Sequence, residues 1–477
     1  VGEDEVVHLG SPSARVPFLG LVAVLIAGVL PSALPSTASA AAQQPTTLTL
    51  SAPAQYADRW VTVTGQLLAD GLPVSGEEVV VDRHDPATGQ WIQIAAPSTG
   101  EDGAFTTSAW VERSPADNLL RATYAANGTY EGAEVQYRLP IRPHPTTTRI
   151  SGPRSVVDER SATLRITRQT TDGRAVPGPV TLQRYVDGRW RSVRTLTTSL
   201  SGTVATAVSP RSDSRWRAVG GALVWAVGST SGTLRIDNLP PGVPVRLPRA
   251  APRPRLSLPT QARATGAGPN PVISRIPDGV WRNMVGRSWH RGCPVGRRGL
   301  RILRINYWGF NGYRHRGEIV AAASVIQQMA GALSDMYRAE LPIRRMYRVD
   351  RFGWSRRLRG ADDYRSMAAD NTSAFNCRWV VGRQGVRSPH SYGRSLDINP
   401  WENPYRSSHG WVPNRWWPSR SDARIAWRSR AHRVVRIMAR HGLRWTYGRA
   451  DAHHFDAVPR GGRLIRVPGC APGEVCH

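Results

Sequence analysis

The sequence predicts a multidomain chain in which two all-β sandwiches precede a domain of mixed α and β structure. Three observations predict it. Between residues 47 and 238, short runs of alternating apolar and polar residues are separated by turn signals, with no long helical period. The same stretch repeats itself once. Beyond residue 270 the apolar spacing shifts to three and four residues, the period of helices. A length of 477 residues is also too great for one ordinary domain.

The first copy of the repeat reads Val61-Thr62-Val63-Thr64, then Asp70-Gly71, Val79-Val80-Val81, Trp91 and Gly103-Ala104-Phe105. The second reads Leu164-Arg165-Ile166-Thr167, then Asp172-Gly173, Val180-Thr181-Leu182, Trp190 and Gly202-Thr203-Val204. The Asp-Gly pairs lie 102 residues apart and the tryptophans 99. This places sandwich modules at 47–142 and 145–238. They resemble the immunoglobulin-like repeats that bacterial surface proteins use as spacers. Neither contains Cys, so no disulfide can cross either sandwich.

Residues 239–270 are rich in Pro, Arg, Ala and Gly, a composition that predicts a semi-extended linker. The last domain is expected at 271–477. A strand is expected at 300–307. A helix is expected at 318–340, with Ile319, Ala323, Ile326, Met329, Leu333 and Met336 at helical spacing. A second is expected at 422–441, carrying Ile425, Ala431, Val434, Val435 and Met438, with Gly442 at its C-terminal cap.

Two segments of this domain carry chemistry. The first is Ser388-Pro389-His390-Ser391-Tyr392-Gly393-Arg394-Ser395-Leu396-Asp397, and the second is Asp451-Ala452-His453-His454-Phe455-Asp456. Together they hold two imidazoles and a carboxylate suited to one zinc ion, plus a spare carboxylate. Two His and one carboxylate leave a fourth position open, the arrangement of catalytic rather than structural zinc. A separate acid must then carry the proton of the attacking water to the leaving amine. Asp451, three residues before His454, is the natural candidate.

Ser-x-His-x-x-Gly-x-Ser-x-Asp followed by Asp-x-x-His resembles the zinc signature of the D-Ala-D-Ala carboxypeptidase and L-Ala-D-Glu endopeptidase family, in its actinobacterial branch. The surrounding Ser366-Met367-Ala368-Ala369-Asp370-Asn371 and Asn399-Pro400-Trp401-Glu402-Asn403 agree with it. The resemblance covers about residues 275 to 460. It implies an α+β zinc-peptidase domain with a small antiparallel sheet, and a reaction on peptidoglycan stem peptides. It also implies zinc ligands His390, Asp397 and His454, with Asp451 as general base. Arg378 would stabilise the oxyanion or serve structure, and Ser388 would bond substrate or hold the His390 loop. His453 is expected to point away from the metal, because neighbours on a strand alternate sides. Tyr392 and Phe455 are expected to pack. Ser395 stands where the family usually has Ala, and the segment 445–450 is shorter than the family's substrate-contacting loop. The competing expectation is a wall-binding or adhesion protein whose peptidase domain is inactive.

Residues 1–40 read as an export signal, with Arg15 ahead of the apolar run 16–30 and Ala38-Ser39-Ala40 as a cleavage site. Nothing later resembles a membrane span. With the resemblance, this predicts a secreted, wall-associated protein. Four Cys in an exported chain predict two disulfides, and of three pairings Cys293–Cys377 and Cys470–Cys476 is expected. The formal net charge is +28, and all 63 basic residues are Arg. That charge reads as a solvated basic face or as attraction to anionic wall polymers. Nucleic acid is not expected as a partner, since no known module interleaves aromatic and basic residues here.

Overall fold

The computed structural model describes residues 42–471 and 474–476, so the 1–40 signal lies outside the described residues. The chain forms two units, one ending at Arg142 and the other beginning at Pro143.

The first unit contains β1 (Thr46–Ser51), β2 (Arg59–Ala69), β3 (Val80–Asp85), β4 (Gln90–Ala95), β5 (Ala104–Val111), β6 (Leu119–Tyr124) and β7 (Ala133–Arg138). Strand β2 pairs antiparallel with β1 and β5, while β4, β3, β6 and β7 follow in that order in a second sheet. On β2, Val61, Val63, Leu67 and Ala69 are buried while Thr62 and Thr64 are exposed, the period of a strand with one wet face. Val63, Leu67 and Phe105 of the first sheet share one apolar cluster with Val81, Leu120 and Ala122 of the second.

The second unit opens on the repeat: β8 (Thr146–Ser151), β9 (Ala162–Thr170), β10 (Gly178–Val186), β11 (Arg189–Thr198), β12 (Thr203–Val208), β13 (Ser214–Gly220) and β14 (Leu234–Leu239). Strands β8, β9 and β12 form one sheet, and β11, β10, β13 and β14 run in order in the other. Leu164, Ile166, Val180, Leu182, Trp216 and Ile236 make their shared core.

The expected linker, 239–270, contains no regular element beyond Leu239, the last residue of β14. They do not stand free as a linker would. Leu256 and Leu258 pack on Tyr347, Val349 and Phe352, and Val245, Leu247 and Ala251 pack with Trp417 and Ile425. The Gln261 amide donates to the Arg316 carbonyl at 2.9 Å. Pro residues have no N–H to satisfy, so this strap covers the domain without pairing as a strand.

The C-terminal region is built on a hairpin of β15 (Leu300–Trp308) and β16 (Arg314–Ala322), followed by helix α1 (Ile326–Arg338). The helix expected at 318–340 therefore begins as strand, through Ala322. Residues 314–319 alternate between part-exposed Arg314, Arg316 and Glu318 and buried His315, Gly317 and Ile319, and Glu318 meets Arg304 across the hairpin at 2.9 Å. The period of two won there; the helical period begins only at Ile326. The second expected helix shrinks to α2 (Arg433–Arg440). Ahead of it, the Asp422 carboxylate accepts from the N–H groups of Arg424 and Ile425, which turns the chain. Gly442 follows α2 at φ +74°, the left-handed cap position.

Behind α2 come β17 (Ser395–Asp397), β18 (Leu443–Arg444) and β19 (His454–Ala457), which form one small antiparallel sheet with β19 central. Leu396 and Phe455 of this sheet join Leu303, Ile305, Met329, Leu333, Val434 and Met438 in a single core. Cys293 is bonded to Cys377, and Cys470 to Cys476. No helix among the described residues is long and apolar enough to cross a membrane.

Phe455 is wholly buried between its sheet and the helices. Phe455→Ala should therefore lower stability by about 3–5 kcal/mol. Denaturant unfolding of wild type and variant measures it, with a shifted midpoint and an unchanged slope.

Candidate metal centre

The two motif segments meet because β17 and β19 pair in one register. Asp397 lies opposite His454, Leu396 opposite Phe455, and Ser395 opposite Asp456. With a side-chain period of two, Ser395, Asp397, His454 and Asp456 share one face, and Leu396 and Phe455 turn to the core. Asp397 is held on its other side by Ser373, through backbone bonds of 3.1 and 2.9 Å.

His390 arrives on a short turn, Pro389–Tyr392. The Ser388 hydroxyl accepts from the His390 N–H, the loop-holding role of the two expected for it. Gly393 closes the turn at φ +65°, and a Cβ there would stand 2.7 Å from the Ala322 nitrogen, so only glycine fits.

Three donor atoms converge. His390 Nε2 is 3.2 Å from His454 Nδ1 and 3.1 Å from Asp397 Oδ2, and His454 Nδ1 is 3.2 Å from Asp397 Oδ1. Tetrahedral bonds of about 2.0–2.1 Å need donors about 3.3 Å apart, so a zinc-sized ion fits this cradle. The remaining ring nitrogens are committed as metal-bound imidazoles require. His390 Nδ1–H donates to the Ala374 carbonyl at 2.6 Å, and His454 Nε2–H donates to Asp456 Oδ1 at 2.9 Å. Asp456 in turn accepts from the Ser395 and Thr446 hydroxyls, each at 2.7 Å.

The field of the site favours a cation. Burial works against charge on His454, but the carboxylates of Asp456 and Asp397 outweigh it and hold its pKa well above the usual imidazole value. Burial likewise pushes Asp456 up, and the charge and hydrogen bond of His454 override that and lower it to about 2.

Asp451 is fully buried, with Oδ1 3.3 Å from His453 Nε2. His453 does not point away from the centre. Its Nδ1–H donates to the Asn403 carbonyl at 2.7 Å, and its Nε2 lies 3.9 Å from Asp397 Oδ2. The alternation rule failed because β19 starts at His454, so His453 is still on the incoming turn. Arg378 is wholly buried, 2.8 Å from Asp363 Oδ2, and its Nε has no hydrogen-bond partner among the described residues.

Sequence reasoning missed Asp456, Ser395 as its partner, and Tyr447, whose ring lies 5.2 Å from that of His454. The spacing His454-x-Asp456 opposite Ser395-x-Asp397 was the available signal, legible once the two segments are taken as paired strands. Nothing in the sequence placed the tail, yet the Cys476 backbone bonds Tyr447 and Glu474 pairs with Arg383 at 2.7 Å. The other cluster of ligand-type residues, His290 with Cys293 and Cys377, has both sulfurs in a disulfide.

Residues 381–457 match the family described as D-alanyl-D-alanine carboxypeptidase. That segment is similar to a peptidase, and it contains His390, Asp397, Asp451 and His454 but not Arg378. No curated protein matches the chain. Among solved structures, a DUF4785 family protein from Legionella pneumophila aligns at 11% identity over 40% of this chain and 56% of its own, with a TM-score of 0.21. E. coli alpha-2-macroglobulin aligns at 10% over 55% of this chain and 18% of its own, with a TM-score of 0.19. The chain thus spans little more than half of the first and under a fifth of the second.

Two outcomes are expected. Asp456→Asn removes the charge that orients His454 and should weaken metal binding about 10–100-fold, with Ser395→Ala weakening it less. Metal must also displace the proton that the carboxylates hold on His454. Affinity should therefore rise with pH until that imidazole is neutral without help. Competitive zinc titrations of both variants at several pH values check each.

Proposed function

We propose that the chain is an exported, zinc-dependent peptidase that hydrolyses peptide bonds of peptidoglycan stem peptides. The observation that carries this is the buried convergence of His390 Nε2, Asp397 and His454 Nδ1, with the Asp451 carboxylate buried three residues away in sequence. The family match over residues 381–457 supports a peptidase.

His390, Asp397 and His454 would hold the ion, which when bound supplies a Lewis acid for the scissile carbonyl and lowers the pKa of water to about 7. Asp451 takes the proton of the attacking water and delivers it to the leaving nitrogen. His453, fixed by Asn403, holds that carboxylate in place at 3.3 Å. Arg378, held by Asp363 at 2.8 Å, would be the donor for the charge that builds on the carbonyl oxygen. Ser388 acts on substrate only indirectly, by fixing the His390 turn.

The two β modules would extend or anchor this domain at the wall. A cleft of about 610 Å³ lined by Arg275, Arg297, Arg298 and Arg301 is the place where anionic wall polymers would meet the basic charge.

The test is mass spectrometry of peptidoglycan fragments after incubation with the whole chain, beside His454→Ala. Loss of a terminal D-Ala names a carboxypeptidase, and a cut between L-Ala and D-Glu names an endopeptidase. A chain that binds zinc yet yields no product from any stem peptide overturns the proposal in favour of a wall-binding protein. Asp451→Asn should lower kcat by about 10²–10⁴-fold while zinc content stays at the wild-type level.

A further inference from the structure

The outer face of the β1–β2–β5 sheet has a composition that the fold does not require. Across β2 and β5 the register sets Thr64 beside Thr106, Thr62 beside Ser108, and Trp60 beside Trp110. Val61, Val63, Phe105 and Ala109 alternate with them and are buried, so these three rows face outward. Trp60 is 64% exposed, and its ring meets that of Trp110 at 5.5 Å. Trp110 is half-buried beneath it, and a large aromatic left this exposed is a feature of binding surfaces rather than of a fold's own packing.

The second copy of the repeat shows what the scaffold itself needs. In the first, Leu67 N–H donates to the Gly103 carbonyl at 2.9 Å and Val74 N–H to the Leu67 carbonyl at 3.1 Å. In the second, Arg168 N–H donates to Gly202 at 2.8 Å and Val176 N–H to Arg168 at 3.1 Å. Aligned on these bonds, Ser161 and Ser209 stand where the first copy has Trp60 and Trp110, and Arg165 stands where it has Thr64. The same fold therefore forms without the tryptophans, and with a charged outer face.

Charge then selects the ligand class. In a chain of net charge +28, the three rows of the first copy carry no charged side chain. A polyanion would gain little there. Apolar rings beside rows of hydroxyls complement a molecule whose surface alternates C–H faces with hydroxyl groups, which is the surface of a sugar ring. We infer that this face, centred on Trp60 and Trp110, binds a neutral polysaccharide. The site lies in the first unit and does not depend on the peptidase reading.

The test is calorimetric titration of the full chain with a neutral N-acetylglucosamine hexasaccharide. Saturable binding that is indifferent to salt is expected. It should weaken about tenfold or more in W60S/W110S, which carries the second copy's residues, and survive in W60F/W110F. Thermal unfolding and cleavage of soluble stem peptides should be unchanged in both. Absence of saturable binding, equal affinity in W60S/W110S, or binding that vanishes with added salt would each overturn the proposal, the last by assigning the contact to the arginines. Loss of peptide cleavage in wild type would bear on the peptidase reading alone.

Discussion

The site depends on one strand pairing. Asp397 opposite His454 is a register, and a slip of one residue would send both side chains into the apolar core and bring Leu396 and Phe455 out. Burial of those two residues against α1 and α2 makes that slip costly. Hydrophobic packing on one face thus sets the ligand geometry on the other. The same register places Ser395 against Asp456, so its hydroxyl donates a hydrogen bond to the carboxylate that orients His454.

Behind this sheet a buried polar frame fixes the remaining groups. Arg344 bridges Asp370 and Glu402 at 2.6 and 2.5 Å, and its backbone N–H bonds the Asn399 side chain. Burial and the neighbouring Asp370 push the Glu402 pKa well up, against the pull of Arg344. Asn403 then ties its own turn to Ile425 and accepts from the Trp427 N–H, while its carbonyl accepts from His453 Nδ1–H. Removing one member of such a network strands the others without water, which is costly. The Asn399-Pro400-Trp401-Glu402-Asn403 segment is in this sense a support for His453, and through it for Asp451.

The three candidate ligands that the structure brings together were legible because a metal demands particular atoms at particular spacings, and both segments spell them out. The repeat, both disulfides and the Gly442 cap were legible for similar local reasons. The failures share a cause. At 318–322 the apolar residues satisfy both periods, and only the pairing of Glu318 with Arg304 across the hairpin decides for a strand. At 422–432 the apolar spacing is real, since Ile425 and Trp427 are buried, but a carboxylate bonding its own backbone ends the helix before it starts. His453 and the strap at 239–270 were misjudged because their directions are set by distant partners, Asn403 and the cores around Tyr347 and Trp417.

The two β modules share backbone bonds yet differ widely in side chains. Their shared bonds run through the backbone, at Gly103 and Gly202 and at the strands beside them, and backbone bonds constrain side chains weakly. Even a core position has diverged: Leu67 of the first copy is Arg168 in the second, fully buried, its pKa lowered by burial, its guanidinium held by the carbonyls of Gly221 and Val227. A scaffold that tolerates an arginine in its core tolerates still more on its wet faces. An exposed Trp60 beside a half-buried Trp110 on one copy, with serines at the matching positions of the other, is then better explained by what the pair touches than by what it holds together.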